Sequence, residues 1–166
     1  MELILEELIE VFENQARLQR SLLDALDQEK QAIVGSDLSA LQEATGEKKN
    51  LVSEIKKLED RRVRILADLE ESTGKKCNEL TLETLAKNSK EPYASRLKNC
   101  RNDIISLIEN VKELNEGNKA LLTHSMDLVT GSLRLLNNLM NSNAVYYRTG
   151  KIQNKDHSGR VLSGDV

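Results

Sequence analysis

Leu97, Cys100, Ile104, Leu107, Val111, Leu114, Asn118, Leu121, Ser125, Leu128, Ser132, Leu135 and Leu139 follow one another in alternating steps of three and four. That spacing keeps one seam of a long helix turned towards a neighbour. It predicts a single helix over 92–141, read as the element around which the rest of the chain is organised. The first half of the seam is apolar. The second half interleaves Asn118, Ser125 and Ser132 with leucines, which packs less strongly. Near its end the apolar band widens, because Val129, Leu133, Leu136 and Met140 add a second stripe beside Leu128, Leu135 and Leu139. A band this wide has more apolar surface than one packed neighbour covers.

The preceding chain repeats the theme. Ile4, Leu8, Val11, Gln15, Leu18, Leu22, Ala25, Glu29 and Ala32 predict a first helix over 2–33, which Gly35 is expected to stop. Ser36 or Asp37 then caps a second helix over 37–72. Its inward face is read as Leu38, Leu41, Thr45, Lys48, Val52, Ile55, Leu58, Arg62, Ile65 and Leu69. Thr81 is placed to cap a short helix over 81–87 that lays Leu82 and Leu85 on the bundle end, and Pro92 opens the long helix. At 1.5 Å per residue the long helices measure about 48, 54 and 75 Å, so the third has a surplus of roughly 20 Å. That surplus is expected at its C-terminal end. The fold class expected is all-α: an elongated antiparallel three-helix bundle or coiled coil with a short extra helix between helices two and three. Residues 1–141 are read as the helical domain and 142–166 as a tail that is mobile or folds only on a partner.

Composition narrows the core. With no Trp, one Phe and three Tyr, it must be built from Leu, Ile, Val and Ala. A single proline and 31% charged residues suit long helices rather than sheets. The net charge of -3 lacks the clustered basic surplus that phosphate neutralisation needs, so nucleic acid is not an expected partner. Arg61, Arg62 and Arg64 lie among acids such as Glu59 and Asp60 and read as a salt-bridged face rather than an anion site. Cys77 and Cys100 have no CxxC or His-x-x-Cys company, which suggests reduced thiols and no metal site. The start, MELILEELIEVFE, carries acids where a secretory leader carries positive charge, and no run is apolar enough to span a membrane. A cytoplasmic location is expected.

No catalytic constellation is visible. His124 and His157 are the only histidines, and no HExxH motif, Gly-rich phosphate loop or nucleophile elbow occurs. The chain is expected not to be an enzyme and to carry no cofactor. Binding remains, and an apolar helical stripe selects another amphipathic helix. The alternative is a structural coiled coil forming an obligate homodimer or scaffold, with Asn118, Ser125 and Ser132 setting its register.

Helix two contains NLVSEIKKLEDRRVRILADL, and helix three ends in SLRLLNNLMNSNAVYYRTGKIQ followed by a short Gly/Ser tail. Together these resemble the FlgN-type flagellar export chaperones, in length, acidity and layout along the whole chain. The most specific part is the leucine-rich helix end running into Tyr146, Tyr147 and Gly150, supported by Leu58, Glu59 and Arg62. The resemblance implies a cytoplasmic type III export chaperone that binds the helical terminal segments of hook-filament junction proteins. Such a chaperone prevents premature assembly and delivers its client to the export gate and ATPase complex. It further implies a client surface of Leu128, Val129, Leu135, Leu136 and Leu139, and a docking residue for the export gate at Tyr146 or Tyr147. A weak homodimer is compatible with this role.

Overall fold

One helix is buried along two adjacent lines, and it is the first rather than the last. In this computed structural model, which describes residues 2–74, 76 and 79–141, all regular structure of the described residues is helical. The helices are α1 (Glu2–Gly35), α2 (Leu38–Thr73), α3 (Leu82–Asn88) and α4 (Tyr93–Asn141). In α1, Leu8, Val11, Leu22, Ala25 and Ala32 are buried, and so are Ile9, Phe12, Leu26 and Ile33, each one position further on. Within the first unit α1 packs against both α2 and α4.

The chain divides into two compact units between His124 and Ser125. In the first, α1 meets α2 through Glu10 with Arg61 at 3.4 Å and Glu29 with Lys48 at 2.5 Å. It meets α4 through Arg96, which donates to Glu6 at 2.7 Å and Glu13 at 2.9 Å, and through Arg20 with Asp103 at 3.1 Å. One core joins α1 residues such as Leu8 and Phe12 to Ile65, Leu66 and Leu69 of α2, and to Leu97, Cys100 and Ile104 of α4. Leu80 and Leu85 of the α3 segment close it, with Leu82 partly buried against them.

The turn between α1 and α2 uses its residues economically. The Ser36 amide donates to the Ile33 carbonyl at 3.2 Å and the Asp37 amide to the Ala32 carbonyl at 3.0 Å, the paired bonds of a Schellman motif. The left-handed residue is Ser36, with φ of 54°, and not the neighbouring Gly35, which ends α1. Asp37 then accepts from the Ala40 amide at 3.0 Å and so caps α2. At the far end of α2, Gly74 takes the left-handed position (φ 66°), and its amide donates to the Glu70 carbonyl at 2.8 Å. Thr81 caps α3 by accepting from the Thr84 amide at 3.2 Å. Pro92 stands one residue before α4, and its carbonyl accepts from the Arg96 amide.

The inward face of α2 departs from the expected one. Leu38 and Val52 are 68% and 52% exposed, whereas Ala44 is buried and Leu51 partly buried. The arginine run of α2 is engaged with acids, Arg61 with Glu10 of α1 and Arg62 with Glu59. Burial along α4 follows the expected seam from Leu97 to Ser125 and then ends: residues 126–140 are all exposed.

Candidate protein-binding surface

Residues 125–140, SMDLVTGSLRLLNNLM, contain two charged side chains, Asp127 and Arg134. The helix continues through Gly131 to Asn141. Because each residue turns an α-helix by about 100°, side-chain directions follow from sequence position. Leu128, Leu135 and Leu139 share one edge of an apolar arc. Val129, Leu136, Met140, Leu133 and Met126 share the other, and Ser125 and Ser132 lie between them. The whole arc covers about 180° of the circumference, against roughly 100° for a helix with one ordinary buried face. Thr130, Gly131, Arg134, Asp127, Asn137 and Asn138 fill the opposite half.

This arc faces solvent. Leu128, Val129, Leu135, Leu136 and Leu139, the five residues singled out from sequence, are 55–61% exposed. They fall into two groups, Leu128, Leu135 and Leu139 on one edge and Val129 and Leu136 on the other. Met126 and Leu133 belong to the second edge at 64% and 60% exposure, and Met140 is the most open at 76%. Met126 escapes a search for leucines, but it stands three residues before Val129 and seven before Leu133, on the same track. Tyr146 and Tyr147, the expected docking residues, lie outside the described residues, as does the expected tail.

The serines do not break the arc's apolar character as strongly as their type suggests. The Ser132 hydroxyl donates to the Leu128 carbonyl at 2.8 Å, so it is satisfied by its own helix and needs no polar partner. The arrangement has the chemistry of helix-in-groove recognition, with aliphatic and thioether side chains repeating at helical spacing on a face about 24 Å long. Among the described residues, no group of three or more His, Cys, Asp or Glu is placed to hold a metal ion. No helix among them is long and apolar enough to cross a membrane.

A family model described as "FlgN protein" matches residues 1–154. No curated protein and no solved structure matches the chain.

Proposed function

The chain belongs to the FlgN family of flagellar export chaperones, and from that premise we propose that its client is a hook-filament junction protein. Residues 125–140 hold the helical terminal segments of that client, which keeps it unassembled until it reaches the export apparatus in the cytoplasm. The observation that carries this reading is the 180° apolar arc exposed on α4. Eight large apolar side chains within sixteen residues stand open to water at 55–76%, a surface that a protein presents to a partner. Tyr146 or Tyr147 is the docking residue for the export gate in this reading. An antiparallel three-helix arrangement of the first unit belongs to it too. The pairs Glu10 with Arg61, Glu29 with Lys48 and Arg96 with Glu6 support that arrangement.

Calorimetry of the full chain against peptides spanning the terminal helices of junction proteins tests the reading. Burying one leucine contributes about 1–2 kcal/mol at such a face, so Leu128→Ala should weaken binding about tenfold and Leu128→Ala with Leu135→Ala about a hundredfold. Binding unchanged in the double variant sinks the assignment of the surface. A dimer that persists at nanomolar concentration and binds no peptide would favour a structural homodimer instead.

A further inference from the structure

The width of the arc at residues 125–140 has a parallel inside the same chain. Between Leu97 and Asn118, α4 buries a single line: Leu97, Cys100, Ile104 and Asn118 are buried, with Leu107, Val111 and Leu114 partly so. The positions one further on remain open, Ile105 at 43% and Ile108 at 46% exposure. α1, in contrast, buries adjacent pairs, such as Leu8 with Ile9, Val11 with Phe12, and Ala25 with Leu26. Glu10 and Glu29 of α1 reach α2, while Glu6, Glu13 and Arg20 reach α4, so two long helices cover its wide face. The wide face of α1 is thus covered by α2 and α4 together.

Residues 125–140 carry the α1 pattern and not that of the earlier part of α4. Leu128 with Val129, Leu135 with Leu136, and Leu139 with Met140 are adjacent apolar pairs. We propose that this segment takes two amphipathic helices of one client at once. One packs along Leu128, Leu135 and Leu139, the other along Met126, Val129, Leu133, Leu136 and Met140. This rests on the chaperone reading above and specifies its client: a chain that offers two helices side by side, as two terminal segments brought together would. Ser125 and Ser132, the small residues between the two edges, leave room for the client helices to touch each other. A second copy of this chain fits less well, because a two-fold pairing of the segment lays only one helix on each arc.

The test uses the full chain and two synthetic peptides, one spanning the N-terminal and one the C-terminal helical segment of a hook-filament junction protein. The chaperone is saturated with one peptide and titrated with the other. The expected result is a ternary complex in which the second peptide still binds one to one. Leu128→Glu with Leu135→Glu should weaken one peptide by about thirtyfold or more and the other by less than about threefold, and Val129→Glu with Leu136→Glu should do the reverse. All four positions are exposed, so helicity and thermal midpoint should be those of the unmodified protein. Competition between the peptides, or equal weakening of the same peptide by both variants, overturns two-helix binding and leaves the chaperone reading standing. If neither peptide binds, the chaperone reading falls and takes this inference with it. A tight homodimer that excludes both peptides places a second copy on the arc and likewise overturns the inference.

Discussion

Glu29 joins three helices at a place where water is scarce, and its removal should cost more than that of any surface ion pair. Its side chain is 9% exposed; one oxygen accepts from Lys48 of α2 and the other from the Asn118 amide of α4, at 2.9 Å. The same amide nitrogen donates to the Leu26 carbonyl at 2.7 Å. Each hydrogen bond to a buried charge contributes on the order of 1.5–3 kcal/mol, and breaking a buried pair costs about 3–5 kcal/mol. Lys48 is 26% exposed and can rehydrate, and Asn118 keeps Leu26, so the lower part of that range applies. Glu29→Ala should therefore destabilise the protein by about 3 kcal/mol. Equilibrium urea unfolding at pH 7 should show the change as a lower midpoint at constant slope. As a control, Glu59→Ala removes a half-exposed pair within α2 and should cost about 0.5 kcal/mol. Replacing the whole triad with Glu29→Leu, Lys48→Met and Asn118→Leu should recover most of the loss, because no charge is then left buried and the unpartnered Asn118 Oδ1 is removed. A Glu29→Ala midpoint indistinguishable from that of Glu59→Ala would refute the reasoning.

Three further outcomes follow from local chemistry. Ser36→Gly should stabilise by about 1 kcal/mol, since Ser36 holds a left-handed backbone that glycine adopts without a Cβ penalty; a lower thermal midpoint would count against the turn as described. Burial pushes the Cys100 thiol above its ordinary range, with the Glu13 carboxylate adding to it, so in a Cys77→Ser variant Cys100 should react with iodoacetamide at pH 8 far more slowly than an unfolded control. Hydrogen bonds from Arg62 and Lys87 hold the Glu59 and Glu83 carboxyls below the ordinary value of 4.5. Their small stabilising contributions are therefore complete above that value and disappear as pH falls through the lower folded ones, and stability measured from pH 6 to pH 2 should drop less steeply in Glu59→Gln.

Much of the helical layout is legible because the relevant signals are local. Alternating steps of three and four along α4 identify the residues that are buried as far as Ser125, and the Thr81 signal marks a cap that depends on its immediate neighbours. Where adjacent apolar residues compete, local pattern does not choose between them. Leu51 and Val52 both suit an inward track, and small Ala44 beside Thr45 gives a weak cue. A 3.5-residue template also drifts against a 3.6-residue helix over the 36 residues of α2. The second line of α1, with Ile9, Phe12 and Ala16, stands in the sequence too, but a single seam traced through Leu8 and Val11 passes beside it. At Gly35 and Ser36 the glycine rule is off by one residue, since hydrogen-bond closure onto Ala32 and Ile33 sets the left-handed position. The double stripe of residues 125–140 is likewise visible as periodicity. What it binds is an intermolecular matter, and spacing within one chain specifies the chemistry of a partner rather than its identity.

Hydrogen exchange of the full chain, alone and with a junction-protein terminal segment, tests the central claim most directly. Amides of residues 125–140 should exchange markedly more slowly in the complex. Those around Ile105 and Ile108, also apolar and exposed but carrying a single open line, should be unchanged. Protection at Ile105 and Ile108 with none along 125–140 would contradict the account and place the client elsewhere.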